Sequence, residues 1–210
     1  MSSNDRPRRG FTRRRFLAGM PAAAALPSVL SASSPSSAPA AAPAARVLGP
    51  GPVPVRIEVN GESRKALVEP RTTLLELLRD HWSLTGAKEV CELGACGACT
   101  VLLDDRPVNA CLTLALECEG RKVLTIEGLS KDGELHPIQQ AFVAHDALQC
   151  GYCTPGMVMA AHACLSQDPG AGRDELRAAL AGNLCRCGTY TRIVAACEDA
   201  GRAMREGGGR

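Results

Sequence analysis

Aromatic side chains are scarce in this sequence: one Trp, two Tyr and three Phe among 210 residues. Its cores must therefore be aliphatic, with bound groups adding cohesion. Histidine is also scarce, four in all, and none follows a cysteine cluster at ligand spacing. A dinucleotide glycine fingerprint, a P-loop and a nucleophile–base pair are all missing, so no catalytic set of its own is expected. The apolar run from Phe16 to Leu30 spans only fifteen residues and is rich in Ala. That is too short and too weakly apolar for a spanning helix, so no stable membrane insertion is expected. A Lys/Arg stripe is absent too. The formal charge of +2 arises from residues 1–45, with six arginines and one aspartate, while residues 46–210 carry 18 basic and 21 acidic residues. A mildly acidic body makes nucleic acid an unexpected partner.

Cysteine is abundant, with eleven residues. Cys91-Glu-Leu-Gly-Ala-Cys96-Gly-Ala-Cys99 reads C-x4-C-x2-C, and Cys111 follows after eleven residues. This is the plant-type spacing for a [2Fe–2S] cluster. Two tetrahedral irons share two sulfides and need four thiolates between them. Gly94, Ala95, Gly97 and Ala98 are small enough for a loop curled round a cluster, and Gly97 can bring its N–H close to a sulfide. The competing reading is zinc, which usually takes paired C-x2-C knuckles or a histidine. The lack of a C-x-H pair argues against a Rieske centre.

A second set follows. Cys150-Gly-Tyr-Cys153 is C-x2-C, and Cys185-Arg-Cys187 is C-x-C, thirty-one residues on. C-x2-C alone is weakly specific. Its pairing with C-x-C between helices is stronger, because C-x-C makes no relaxed disulfide and suits two thiolates gripping one iron. Cys118, Cys164 and Cys197 fall outside these spacings and read as small buried hydrophobes. Lys88 and Glu89 read as a solvated or interface face, and His145 and His162 as solvated or capping residues.

Thr12-Arg13-Arg14-Arg15-Phe16-Leu17 fits a twin-arginine export pattern, followed by the apolar run and a Ser/Ala/Pro stretch from Ser31 to Ala45. Residues 1–45 thus read as signal peptide and flexible tether. Periplasmic export in the folded state would let iron occupy the thiolates before an oxidising compartment could pair them. A disulfide framework is the rival reading.

The body reads as α+β in two parts. Residues 52–130 hold strands at Val53–Val59, Ala66–Val68, Thr100–Leu103, Pro107–Asn109 and Val123–Ile126, with an Asn60-Gly61 hairpin turn. Thr73 and Glu76 form a capping box opening a helix that buries Leu74, Leu75, Leu77 and Leu78. Residues 131–206 hold four short helices, a small bundle. One opens at His136-Pro137. The next has Thr154 as N-cap, Pro155 at its first position, and a stripe of Met157, Val158, Ala161, Cys164 and Leu165. A third runs from Arg173 to Ala181 and stops at Gly182-Asn183. The last starts at Thr189 and places Ile193, Cys197, Ala200 and Met204 on one face.

Both cysteine sets together, with Ala110-Cys-Leu112, Gln149-Cys-Gly-Tyr-Cys-Thr-Pro-Gly-Met157 and Gly182-Asn-Leu-Cys-Arg-Cys-Gly-Thr-Tyr190, resemble the small iron–sulfur subunit of the xanthine oxidase family of molybdenum hydroxylases. The resemblance covers residues 53 to about 205 and is nearest to periplasmic aldehyde oxidoreductases. It implies a β-grasp, plant-type ferredoxin-like domain followed by a four-helix-bundle domain, each with one [2Fe–2S] cluster. Cys91, Cys96, Cys99 and Cys111 would hold one; Cys150, Cys153, Cys185 and Cys187 the other, beside the molybdopterin of a separate large subunit. Gln149 matches a family glutamine that hydrogen-bonds the pterin. Electrons would leave through the ferredoxin-like cluster to an FAD subunit, or in some relatives to a cytochrome c. The alternatives within this chemistry are the same role in a cytochrome c-linked N-heterocycle dehydrogenase of the isoquinoline type and a free-standing two-cluster ferredoxin.

Overall fold

The computed structural model describes residues 47–207; the expected export leader and tether, residues 1–45, lie outside them. Strand β1 (Val53–Val59) buries Val55, Ile57 and Val59 on one face, the period-2 alternation of a half-buried strand. Asn60 and Gly61 both take positive φ, 53° and 84°, and turn the chain into β2 (Glu62–Val68) with Val59 opposite Glu62. That two-residue turn suits the twist of the flanking strands. Asn60 also accepts the Thr125 N–H through Oδ1 (2.9 Å), tying the hairpin to a distant segment.

The Thr73–Glu76 capping box forms as expected: Thr73 Oγ1 accepts the Glu76 N–H, and the Glu76 carboxylate accepts the Thr73 N–H. All four leucines are buried. The helix is shorter than the pattern suggests. Segment α1 (Leu74–Glu76) passes into a π-helical turn at Leu77–His81. Strands β3 (Thr100–Leu103) and β4 (Arg106–Asn109) follow, then β5 (Lys122–Leu124). The predicted last strand reaches too far: Ile126–Gly128 is a 3₁₀ turn. The sheet order is β2-β1-β5-β3-β4, with β1 and β5 parallel and the other neighbours antiparallel. The architecture is α+β.

Four helices complete the body: α2 (Pro137–Ala144), α3 (Thr154–Gln167), α4 (Arg173–Ala179) and α5 (Tyr190–Glu206). None of the described helices is long and apolar enough to cross a membrane. Helix α3 is apolar nearly all round, burying Met159, Ala160 and Ala163 beyond the predicted stripe. The reason is its central position, with helices on one side and the sheet on the other. Strand β3 is likewise buried on both faces. Leu102 joins the helical core, while Val101 and Leu103 join the core beneath the strands. Two aliphatic cores therefore meet across one strand.

Cys118 and Cys197 are fully buried, as expected, and Cys164 packs half-buried against the helical core. His145 ends α2, its Nε2 3.2 Å from Asp199 Oδ2. His162 departs from its expected role. It does not cap, and it is half-buried: its Nδ1 is buried without a partner among the described residues, its Nε2 lies 3.4 Å from Ser166 Oγ on the exposed side, and its ring meets His136 edge-on at 4.9 Å. His136 does the capping, accepting the Ile138 N–H on Nδ1 (3.3 Å). Thr154 is also misread by the sequence pattern. It is the first helical residue, Cys153 is the N-cap, and the buried Thr154 Oγ1 has no partner among the described residues.

Burial, with His136 adjacent and only partly offset by Asp105, lowers the pKa of His162 to about 4. Burial and Lys131 lower His136 as well. A folded pKa below the unfolded value means that the unfolded chain binds the proton first. Stability is then full above about pH 6.5, falls as pH drops toward about 4, and levels off below that. The His162 share is on the order of 2 kcal/mol after discounting its residual solvent access. His162→Leu should lose less thermal stability than wild type between pH 7 and pH 5. Equal losses would contradict this assignment.

Candidate metal centres

Cys91, Cys96 and Cys99 lie on the loop between the π-helical turn and β3, and Cys111 on a 3₁₀ turn just after β4. The loop curls because Glu92, Gly94 and Gly97 adopt positive φ of 53°, 67° and 67°. Asn109 Nδ2 donates to the Gly94 carbonyl (3.1 Å), and the Ala110 N–H to the Cys99 carbonyl (3.3 Å), so the β4 end braces the loop. The thiols approach in twos, Cys91 with Cys96 and Cys99 with Cys111. The second pair is buried; the first is half-buried. The Leu93 N–H, the Cys96 thiol and the Ala95 N–H bring Cys91 down to about 7. Burial pushes Cys99 up to about 11.

The second set has the same construction. Cys150 and Cys153 sit on the turn that enters α3, and Cys185 and Cys187 on the loop between α4 and α5. Cys150 pairs with Cys187 at the surface, and Cys153 with Cys185 inside. This corrects the reading of C-x-C as one grip. The backbone turns between them, with the Gly188 N–H on the Cys185 carbonyl (3.2 Å), so the two thiols do not share one face as in an extended strand, and Cys185 and Cys187 each meet a cysteine from the other turn. The Tyr152 N–H and the Cys187 thiol lower Cys150, while burial and Cys185 push Cys153 up to about 12. Burial also pushes Cys185 up, but the Thr189 hydroxyl and N–H, the Cys153 thiol and the Gly188 N–H outweigh it and bring it to about 7.

This arrangement fits [2Fe–2S] clusters. Each iron needs two thiolates, and four separate thiol pairs are present. Among the described residues no three His, Cys, Asp or Glu side chains converge to hold one metal ion, as a mononuclear zinc site would need. Backbone N–H groups directed at sulfur favour thiolate and cluster charge. None of the eleven cysteines is paired in a disulfide.

The two loops touch. The Leu184 N–H donates to the Cys96 carbonyl (2.9 Å), and Asn183 Nδ2 donates to the Gly97 carbonyl (2.8 Å) and Thr100 Oγ1 (3.2 Å). Asn183 is thus a buried connector that sequence reasoning took for a helix stop. Gly97 has a second reason to be glycine: a Cβ there would lie 2.6 Å from the Gly182 carbonyl and from Asn183 Nδ2. Gly156 in α3 was missed; a Cβ on it would fall 2.2 Å from the Gly97 carbonyl oxygen. Tyr152 OH reaches the Glu89 carbonyl (3.4 Å), and Lys88 Nζ stands 5.9 Å from the Tyr152 ring centre. Lys88 and Glu89 therefore face the other loop. Gln149 is exposed beside Cys150, lining an open depression with Leu148, Gly188, Thr189 and Arg192.

Comparison with known proteins agrees with this geometry. Residues 57–123 match the family described as "2Fe-2S iron-sulfur cluster binding domain", and residues 125–198 the family described as "[2Fe-2S] binding domain". The chain is 43% identical over 202 residues to the aldehyde oxidoreductase iron-sulfur-binding subunit PaoA of Escherichia coli K12, covering 89% of this chain and 87% of that one. It is 44% identical over 166 residues to a probable xanthine dehydrogenase subunit of Bacillus subtilis, covering 76% and 94%. Among solved structures, a chain of quinoline 2-oxidoreductase from Pseudomonas putida 86 superposes with a TM-score of 0.72 at 43% identity, covering 75% of this chain and 98% of that one.

The fold and sites define an electron-transfer protein with two [2Fe–2S] centres, a subunit of an oxidoreductase. The chain belongs to the iron–sulfur subunits of the xanthine oxidase family.

Gly156→Ala tests the join between the loops. Its new methyl group would meet backbone, not a flexible side chain, so α3 must move away from the first loop. The expected cost is about 2–3 kcal/mol, with less iron per purified chain. Wild-type melting and iron content would contradict the contact.

Proposed function

We propose that this chain conducts electrons, one at a time, inside a molybdenum aldehyde oxidoreductase, between the molybdopterin of a large subunit and an FAD subunit, or a cytochrome c in its place. When bound, each [2Fe–2S] cluster supplies a one-electron couple. Cys91 with Cys96, and Cys99 with Cys111, hold the two irons of the first; Cys150 with Cys187, and Cys153 with Cys185, hold those of the second. Residues 52–130 act as a β-grasp ferredoxin-type domain and residues 131–206 as a helical domain. The two matched families meet near this boundary, at residues 123 and 125.

One observation carries the reading. The Leu184 N–H bonds the Cys96 carbonyl, and Cys185 is the next residue, so a hydrogen bond and a few covalent bonds join a ligand of one cluster to a ligand of the other. Partner contact is supported by Val90, Leu93, Leu112 and Leu184, which stand more than half exposed beside the cysteine loops. Gln149, exposed next to Cys150, is placed to meet a pterin in our reading. Aldehyde as the substrate class rests on the name of the Escherichia coli relative. Residues 1–45 act as a twin-arginine leader, and the complex works in the periplasm.

Two experiments test this. Cys150→Ser or Cys185→Ser should abolish turnover with acceptors that draw electrons beyond the clusters, while substrate still reduces the molybdenum in the assembled complex. Normal turnover in a variant shown to lack that cluster would sink the path. For export, Arg13→Lys with Arg14→Lys should keep the complex in the cytoplasm; undiminished periplasmic activity would refute the leader.

A further inference from the structure

Thr189 occupies the N-cap position of α5, where a threonine hydroxyl ordinarily accepts an N–H from the first turn. Here it makes no capping bond, and its backbone (φ −75°, ψ 15°) is not the extended form of such caps. Its Oγ1 instead lies 3.1 Å from Cys185 Sγ. In a free thiol either atom could donate. Once the sulfur is an iron-bound thiolate it has no proton, and only the hydroxyl can donate. Cys185 is 7% exposed, so water is a poor substitute. Tyr190 fixes the geometry from the next position: its hydroxyl oxygen accepts the Cys185 N–H (2.8 Å), pinning the loop under the helix start.

We propose that the Thr189 hydroxyl tunes the second cluster, raising its reduction potential through a hydrogen bond donated to the Cys185 sulfur. The proposal rests on Cys185 being an iron ligand, as read above. Adding an electron makes the cluster and its thiolates more negative, so a donated hydrogen bond stabilises the reduced form more than the oxidised form. Among the described residues no hydroxyl stands in that relation to the other seven candidate ligands. The effect is therefore confined to one cluster. It changes the difference between the two potentials instead of moving both, and so biases on which cluster an electron rests.

The test is a redox titration of the intact complex followed by EPR, with wild type, Thr189→Val and Thr189→Ser. In Thr189→Val the reduced-to-oxidised ratio of one cluster at a given potential should fall by about three- to tenfold; tenfold is 59 mV for a one-electron couple. The other cluster should not move, and Thr189→Ser should restore the wild-type value. Thr189→Ala, which removes the hydroxyl without placing a second methyl beside the sulfur, carries the same expectation. Unmoved midpoints with both clusters loaded, a joint shift of both, or a serine variant that behaves like valine would each overturn the proposal. So would loss of the cluster in both Thr189→Val and Thr189→Ala but not in Thr189→Ser, which would make the hydroxyl structural. Absence of both signals from wild type would overturn the ligand reading itself and this proposal with it, whereas a loaded wild type with an unmoved valine variant refutes only the tuning.

Discussion

The carbonyl oxygen of Gly97 accepts three hydrogen bonds, from the Thr100 N–H (3.1 Å), Thr100 Oγ1 (2.7 Å) and Asn183 Nδ2 (2.8 Å). The rest of the site depends on that crowded atom. Two donors come from the start of β3, the strand shared by both cores; the third comes from the loop that carries Cys185 and Cys187. Gly156 lets α3 approach the same atom from another side. A buried carbonyl with three donors is costly to disturb, because each donor left without a partner loses about 1–3 kcal/mol. The position of one cysteine loop is thereby tied to that of the other, and the distance between two redox centres becomes a property of the fold.

Burial sorts the eight cysteines in the same way in both sets. Cys99 with Cys111 forms an inner pair, and Cys91 with Cys96 an outer one; Cys153 with Cys185 is the inner pair of the second set, and Cys150 with Cys187 the outer. A buried thiolate resists charge, and exposed loops supply N–H donors that favour it. Each proposed cluster thus has one iron in a low-dielectric interior and one near a surface where a partner can approach. The near absence of aromatics is compatible with this, because cohesion comes from two aliphatic cores and from ligation.

Much of the architecture was legible in the residues. The Asn60-Gly61 turn, the Thr73–Glu76 box and the alternation of β1 are local codes, and local physics decides them. Legibility failed where tertiary contact decides. Helix α3 reads as a stripe because its sheet-facing side is lined by small residues, and Ile126 leaves the predicted strand because Thr125 is held by Asn60 and Glu127. C-x-C reads as one grip in one dimension, whereas the fold deals its two thiols to different partners. Asn183 and Thr189 carry ordinary helix-boundary chemistry in the sequence. Their real partners, Gly97 and Cys185, are 86 and four residues away, and only the second lies within reach of a local pattern.

The account stands on two [2Fe–2S] centres held in unlike surroundings by one chain. EPR with spin quantitation on the anaerobically reduced protein tests this most directly. The structure leads us to expect two distinct S = 1/2 signals, each near one spin per chain. A single signal, or none from folded and metal-loaded protein, would contradict it.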